Sequence, residues 1–149
     1  AANQAPCHRL SFPWRFILLD YKSRELLADL MMEIKGVNKD GNQRIKVRSK
    51  MLNPSDLIVA TQILTSDPIH LHEDYAACSC AIQNLSLSLA GDGIGSKWST
   101  SKIIYNEKTS QIINIDSTKE KIIGLIFIGY GEIPKVINRP SLESIFRQI

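Results

Sequence analysis

The sequence predicts an α+β fold, and three observations lead to this class. The runs 56–64 (DLIVATQIL) and 121–131 (KIIGLIFIGYG) are short, continuous and apolar, which is typical of buried strands. The segments 20–36 and 73–89 predict helices by their pattern and length. Strands and helices do not alternate regularly, which disfavours a doubly wound sheet. The length of 149 residues predicts one domain, covering 1–149.

The first half of the chain contains a strand, a helix and an ambiguous segment. RFILLD (15–20) is rich in large apolar residues and predicts a strand. The helix that follows is expected to be capped by Ser23 and to end at Gly36. NKDGN (38–42) predicts a turn, whereas RIKVRSKM (44–51) alternates basic and apolar residues and fits either a helix or an edge strand. The apolar residues expected on one face of the first helix are Leu26, Leu27, Leu30, Met31 and Ile34.

The segment EDYAACSCAIQNLSLSL (73–89) is nearly free of charge and rich in Ala, Ser and Cys. Because an exposed helix would carry a charged face, this helix is expected to be surrounded on all sides, at the centre of a domain or in a subunit interface. Ala90 and Gly91 end it. A short helix is expected near 101–113. The C-terminal tail is expected to extend around two prolines and to finish with a short helix that Ser141 caps.

The composition excludes several classes of protein. Apolar residues make up 44% and charged residues 22%, as in ordinary globular proteins, and the net charge of +3 is too small for a dedicated nucleic-acid binder. No apolar run is long enough to span a bilayer and no secretory sequence opens the chain, so a cytoplasmic location is expected. Three cysteines form no disulfide framework. The chain opens on AANQAP without Met, which resembles the tail of a helix and predicts a fragment or a missing start.

The turn GDGIGS (91–96) has glycines at alternate positions. It does not fit the dinucleotide fingerprint G-x-G-x-x-G, because its spacing is G-x-G-x-G and a helix precedes it. It does not fit the phosphate loop G-x-x-x-x-G-K-[ST] either, whose glycines stand farther apart. On the pattern alone, the turn is the end of a helix with glycines in the left-handed conformation.

The histidines and cysteines do not predict a metal site. His70 and His72, beside Glu73, would share one face only in a strand, and no further Cys or His lies suitably placed. Cys78 and Cys80 are two apart on a predicted helix, so they point to different faces and are interpreted as packing residues. No metal is therefore expected.

No catalytic pair and no nucleic-acid surface are predicted. Cys7 and His8 are adjacent in sequence, and adjacent residues seldom face each other as a nucleophile and its base do. A basic stretch without interleaved aromatic residues predicts a solvated face. Its members are Arg44, Lys46, Arg48 and Lys50.

Four segments, taken in order, resemble the FMN-dependent nitroreductase family. APCHRLSFPWRFILL (5–19) is similar to the Ala-Pro and Pro-Trp-x-Phe stretch that leads into the first strand of that family. EDYAACSCAIQNLSLSLAGDGIGSKW (73–98) is similar to the long central helix and the Gly-Ile-Gly-x-x-Trp turn. IIGLIFIGYGEIP (122–134) resembles the strand that ends in Gly-Tyr-x-x-Pro, and NRPSLESIF (138–146) resembles the C-terminal Arg-Pro-Leu-Glu segment.

The resemblance implies a central, mainly antiparallel sheet flanked by helices, with a long buried core helix at a homodimer interface. It also implies FMN bound at that interface. The residues near the glycine turn would lie beside the isoalloxazine ring, His8 would reach the partner subunit's flavin, and Arg139 would bind the phosphate. The FMN contacts that the resemblance implies are Gln4, His8, Trp98, Ser99, Thr100 and Arg139.

The activity implied is that of an NAD(P)H oxidoreductase with ping-pong hydride transfer through flavin N5. The second substrate would be a flat organic acceptor such as a nitroaromatic or a quinone. No catalytic side chain is expected, because the flavin carries the chemistry. Two alternatives remain open: a flavin-binding or degenerate member of the same fold that is not a reductase, and a non-catalytic dimeric interaction domain.

Two departures from the family pattern bear on flavin binding. Phe12 stands where the family often has Gln before Pro-Trp. The family's N-terminal Arg-Arg-Ser-x-Arg segment, a source of phosphate contacts, does not occur in this sequence. A true absence of this segment would weaken FMN binding, whereas a truncated chain would leave the inference unchanged.

Overall fold

The computed structural model describes residues 1–36, 41–132 and 136–149. Within these residues, four strands form one antiparallel sheet: β1 (Trp14–Leu18), β2 (Asp56–Ile63), β3 (Gly95–Ser99) and β4 (Glu120–Gly129). The strand order is β1-β2-β4-β3, so β2 and β4 lie inside the sheet and β1 and β3 form its edges. The predicted strands at 15–20, 56–64 and 121–131 are thereby confirmed, together with the α+β class.

Helices cover both faces of the sheet. α1 (Tyr21–Lys35), α2 (Gly41–Leu52) and α4 (Glu107–Ile112) pack on one face, while α3 (Pro68–Gly91) packs on the other. A short α5 (Leu142–Ile145) lies in the C-terminal tail. Two 3-10 helices complete the described secondary structure, at Ala2–Gln4 and Lys102–Tyr105.

The core has two parts because side chains alternate across a strand. Leu57 and Val59 of β2 join the part under α1 and α2, whereas Ala60 joins the part under α3. On β4, Leu125 belongs to the first part and Ile126 to the second, and both are fully buried. Each such buried Leu or Ile contributes about 2 kcal/mol by removal of apolar surface from water.

α1 follows the predicted bounds, with two corrections. Its N-cap is Asp20, whose side chain accepts the Ser23 N–H at 2.7 Å, so the prediction that Ser23 caps the helix is wrong. Leu26 is 45% exposed and does not belong to the buried face, although Leu27 and its apolar neighbours do. The predicted end at Gly36 is confirmed, with φ of 64° and an N–H that donates to the carbonyls of Met32 and Glu33.

The ambiguous segment 44–51 is helical and belongs to α2. Val47 and Met51, four residues apart, are buried, which is the spacing of one helix face. Arg48 pairs with Asp29 and Glu25 of α1, each at 2.9 Å. The predicted turn at 38–42 lies largely outside the described residues, and its last two positions belong to α2.

α3 begins at Pro68, earlier than predicted, because Asp67 caps it by accepting the N–H groups of Ile69 and His70. Only one stripe of this helix is buried in the chain, so the expectation that it lies at the centre of the domain is wrong, and the alternative of a subunit interface stays a prediction. The buried residues are Asp74, Ala77, Cys78, Ala81 and Ile82. The opposite face, which is exposed, includes Ala76, Cys80, Gln83 and Leu87.

The helix expected near 101–113 is split into two short helices. The break is at Asn106, whose side chain caps α4 by accepting the N–H of Lys108 at 3.0 Å. Ser141 occupies the N-cap position of α5, but its side chain makes no capping bond; its carbonyl accepts the Ser144 hydroxyl at 2.7 Å. The described tail residues 136–149 are all exposed. No helix in the described part of the chain is long and apolar enough to cross a membrane.

Candidate functional site

A large cavity lies where the end of α2, the turn after α3 and the end of β4 meet. Its volume is about 940 Å³, within the range of about 300–1,000 Å³ that small-molecule sites occupy. The glycine turn of the sequence forms one of its walls. The lining comprises residues 93–97 and 127–132, together with Ala90 and with Ser49, Lys50, Asn53 and Pro54.

One wall of the cavity is bare backbone. Gly95 pairs with Gly129 across β3 and β4, so neither strand presents a side chain at that point. A Cβ on Gly95 would lie 3.1 Å from the carbonyl oxygen of Gly129. Gly93 has φ of 73°, a conformation that favours glycine, so the predicted left-handed helix end is confirmed at this position. A flat ligand can therefore approach main-chain atoms closely here.

Two lysines line the cavity without a neutralising partner. Lys50 and Lys97 form no ion pair with any described residue. The Lys50 ammonium lies 5.6 Å from the centre of the Phe127 ring. Partial burial lowers the pKa of Lys50, and the positive charges of Lys97 and Lys35 lower it further. The cavity therefore combines an aromatic and glycine-lined wall with positive charge.

A buried arginine fixes the loop beside the cavity. Arg24 of α1 is 6% exposed and donates only to carbonyl oxygens. It bonds the carbonyls of Met51 and Leu52, each at 2.9 Å, which belong to the last turn of α2. It also bonds the carbonyls of Pro54 and Ser55. Because the last carbonyls of a helix lack partners within the helix, Arg24 holds both the end of α2 and the loop that lines the cavity.

The residues predicted after the glycine turn do not line this cavity. Trp98 lies on β3, and its indole N–H donates to the carbonyl of Ile123 at 3.2 Å, over Gly124 of β4. The ring packs against the part of the core under α3. Ser99 ends β3, and Thr100 follows it as an exposed residue.

The other predicted contacts lie elsewhere in the chain. Gln4 ends the first 3-10 helix and is exposed. His8 Nδ1 lies 3.1 Å from Glu73 Oε1, and both line a second cleft of about 410 Å³ together with Cys7 and Cys80. Arg139 is exposed in the tail and does not line the large cavity. The FMN contacts predicted from the sequence are therefore not brought together within one chain, and they stay predictions.

The loop between Cys7 and Pro13 is tied to the start of α3. Ser11 donates to Asp74 at 2.7 Å, and Arg9 Nε donates to Glu73 at 3.2 Å. His8 turns toward Glu73, so the adjacent cysteine is not paired with it. Partial burial raises the pKa of the Cys7 thiol, but its hydrogen bonds with the Ser11 side chain and with backbone N–H groups have the larger combined effect and leave this pKa below its ordinary value.

The remaining two cysteines, Cys78 and Cys80, lie on α3 together with His70 and His72. Cys78 is fully buried, and burial, with the charge of Asp74, raises its pKa to about 12. It is a packing residue, as predicted, whereas Cys80 is exposed and its prediction as a packing residue is wrong for a single chain. His70 Nε2 lies 3.4 Å from Asp74. Among the described residues, no group of three or more His, Cys, Asp or Glu could hold a metal ion.

Sequence reasoning missed Lys50, Lys97 and Asn53 as cavity residues. The signal was weak, because the segment that contains Lys50 could not be assigned to a helix. Once α2 is known to end at Leu52, Lys50 falls on its last turn, where the helix dipole favours a positive charge.

Comparison with known proteins decides the family. The model of the nitroreductase family matches residues 1–130. The chain belongs to the nitroreductase family. The resemblance read from the four segments is thereby confirmed.

Nitroreductase relatives cover nearly all of this chain. The protein named "Putative NAD(P)H nitroreductase YfhC" of Bacillus subtilis (strain 168) is 29% identical, over 99% of this chain and 78% of its own length. A nitroreductase-like family protein from Bacillus cereus has a TM-score of 0.82 at 25% identity, over 99% of this chain and 79% of that chain. A structure from Desulfovibrio desulfuricans, described as a "putative nitroreductase in complex with fmn", has a TM-score of 0.74 at 16% identity, over 99% and 78%. These similarities confirm the nitroreductase-like fold.

Proposed function

We propose that the protein is an FMN-dependent oxidoreductase that passes hydride from NADH or NADPH to a flat organic acceptor, such as a nitroaromatic or a quinone. The observation that carries the proposal is the cavity of about 940 Å³, with its backbone wall and its two unpaired lysines. Membership of the nitroreductase family and the FMN in the Desulfovibrio relative support it. The name of the Bacillus subtilis relative supports the nicotinamide substrate. The three free cysteines agree with a cytoplasmic location.

The residues of the cavity fit FMN. Gly93, Gly95 and Gly129 expose backbone against which an isoalloxazine ring can lie, and Phe127 adds an apolar surface. The lysines suit the anionic parts of the molecule. Bound FMN would supply the reversible acceptance of hydride. The protein would supply position, hydrogen bonds from the turn and exclusion of water. Since residues 93–96 line the cavity, we assign the ring contacts to them, and we assign to Trp98 the fixing of β3.

We further propose that the protein works as a homodimer with FMN at the subunit interface. The exposed face of α3 carries small and apolar side chains, and Leu87 on it is 60% exposed. The tail exposes Ile137, Leu142 and Phe146, at 67%, 72% and 72%. Exposed apolar patches mark protein–protein interaction sites, and these side chains are candidates for such a site. In such a dimer, Gln4 and His8 would reach the partner's flavin, and Arg139 would contact the flavin phosphate.

The function is tested by the visible absorption spectrum of the purified protein, before and after addition of FMN. Stoichiometric yellow flavin that NADH or NADPH bleaches under anaerobic conditions is the expected result. Gly131→Trp should abolish FMN binding, because a side chain there enters open space at the cavity. Gly91→Trp is the matched control, since this position is equally open but does not line the cavity. A colourless protein that ignores excess FMN would contradict the proposal.

The dimer is tested by light scattering after size exclusion. Leu87→Glu should give monomers, because it places a charge on the exposed face of α3. Tyr105→Glu, at a 78% exposed position on the other side of the sheet, should leave the dimer intact. A wild-type protein that is monomeric at high concentration would contradict the proposal.

A further inference from the structure

Two lysines, Lys50 and Lys97, place positive charge in the large cavity beside its glycine wall. We propose that Lys50 and Lys97 form a subsite that recognises an anionic oxygen group, a phosphate or a carboxylate, of a ligand bound in this cavity. The inference rests on the proposed function in that it concerns the same cavity, and it adds the charge class of the ligand.

The two lysines converge on the cavity from elements that are far apart in the sequence. Lys50 lies on the last turn of α2, and Lys97 lies in the middle of the edge strand β3. Lys97 pairs in register with Phe127, and the ammonium of Lys50 lies 5.6 Å from the ring of that same residue. Both lysines therefore flank one aromatic side chain of β4, and all three residues line the cavity.

The local charge is not balanced by the described part of the chain. Among the cavity-lining residues, Glu132 is the only carboxylate against the two lysines. Two other lysines of the described chain have a carboxylate partner: Lys108 pairs with Glu33 at 2.7 Å, and Lys119 pairs with Asp116 at 3.2 Å. Lys35 adds a further positive charge near Lys50. Bringing like charges together without a counter-charge costs free energy, which a bound anion would recover.

An oxygen anion is the ligand group that suits this pair. An ammonium is a compact point charge with three donors, and it binds phosphate and carboxylate through charge-assisted hydrogen bonds. Two sources of such a group are compatible with the cavity. One is the phosphate of the flavin itself, and the other is an anionic group on the nicotinamide substrate or on the acceptor.

The subsite is tested first without flavin, with inorganic pyrophosphate as the probe. Pyrophosphate should raise the Tm of the wild-type protein, because a ligand that binds only the folded state stabilises it. Lys97→Gln and Lys50→Gln should each reduce the apparent affinity for pyrophosphate by about ten-fold, as expected for a lost charge-assisted hydrogen bond. Lys119→Gln is the control, because the substitution removes the same charge and Lys119 lies at the opposite end of β4 from the cavity. Equal pyrophosphate affinity in all four proteins would overturn the inference.

The source of the anion is then read from two comparisons. If Lys97→Gln weakens FMN but not riboflavin, which lacks the phosphate, the subsite holds the flavin phosphate. If Lys97→Gln leaves flavin binding unchanged, the KM values identify the substrate that the subsite holds. A KM that rises for a nitrobenzoate but not for a neutral nitrobenzyl alcohol indicates the acceptor, and a KM that rises for NADH or NADPH indicates the nicotinamide substrate. If the lysine variants lose pyrophosphate binding and the wild-type protein binds no flavin, the subsite is upheld and the proposed function is contradicted. If the wild-type protein binds flavin normally and the lysine variants keep its pyrophosphate affinity, the proposed function is upheld and the subsite is contradicted.

Discussion

The indole of Trp98 occupies the space that a side chain at position 124 would need. A Cβ built on Gly124 would lie 1.9 Å from Nε1 of Trp98 and 3.3 Å from the carbonyl oxygen of Ser99. The same indole N–H donates to the carbonyl of Ile123. Trp98 and Gly124 thus bring the edge strand β3 and the inner strand β4 together on the α3 side of the sheet, and both of these strands line the cavity.

Gly124→Ala should therefore destabilise the protein. The indole cannot retreat without losing its hydrogen bond, and overpacking of this kind costs about 1–3 kcal/mol or more. Urea unfolding followed by Trp fluorescence measures the change. Gly91→Ala is the control, because nothing lies within 4 Å of its added Cβ, and its free energy of unfolding should stay within about 0.5 kcal/mol of wild type. Equal effects of the two substitutions would contradict the steric account.

Arg24→Met should be among the most destabilising single substitutions in the chain. It would leave four carbonyl oxygens at the end of α2 and in the following loop without their donor, and each unpaired buried polar group costs about 1–3 kcal/mol. Arg48→Met removes an arginine of half-exposed surface pairs, which contribute about 0–1 kcal/mol. Urea midpoints of the two variants decide the comparison. A smaller loss for Arg24→Met than for Arg48→Met would contradict the role assigned to Arg24.

Alkaline pH should weaken the fold through Cys78. Its pKa is about 12 in the folded protein against an ordinary value of 9.0, because the thiolate would be buried. The folded state therefore holds this proton more tightly than the unfolded state, and stability present below about pH 9 is lost as the pH rises toward 12. Urea midpoints measured from pH 8 to pH 10.5 should fall less steeply for Cys78→Ala than for wild type. Cys80→Ala, at an exposed position, should keep the wild-type slope.

The carboxyl of Asp116 should take up its proton at a lower pH than an ordinary aspartate. The hydroxyl of Thr118 at 2.6 Å, its backbone N–H at 2.9 Å and Lys119 lower the pKa of this carboxyl to about 2. Because the folded pKa lies below the ordinary value of 3.8, the stabilising effect of the charge is present above about pH 4 and is lost as the pH falls toward 2. Carboxyl NMR should show the pKa rising in Thr118→Val and rising less in Lys119→Gln. An unshifted pKa in Thr118→Val would contradict the assignment.

The sequence predicted those strands and helices whose pattern of apolar residues fits only one kind of secondary structure. β2 and β4 were evident because inner strands are apolar on both faces, and α1 was evident because its buried residues recur at helical spacing. α2 was not, since Ile45 and Val47 also satisfy a strand period. Only the structure shows that Ile45 is 63% exposed while Val47 and Met51 are buried.

The site was predicted less completely, for a different reason. The glycine turn was identified as a site element, and it does form a wall of the cavity. Lys50 and Lys97 could not be paired from sequence, because they meet only when α2 and β3 pack around Phe127. The predicted start of α3 at Glu73 is too late, because Asp67 caps the helix and Pro68 begins it, ahead of the uncharged segment that predicted it.

The strand order has a consequence for how the chain is synthesised. β4 is the inner strand that joins β2 to β3, yet it is the last strand of the described sheet to be made. Until Gly129 has emerged from the ribosome, β2 has only β1 as a neighbour, and its other, apolar edge is open to pairing with other chains. Nascent chains that stop short of β4 should therefore be the form of this protein that chaperones bind and that aggregates.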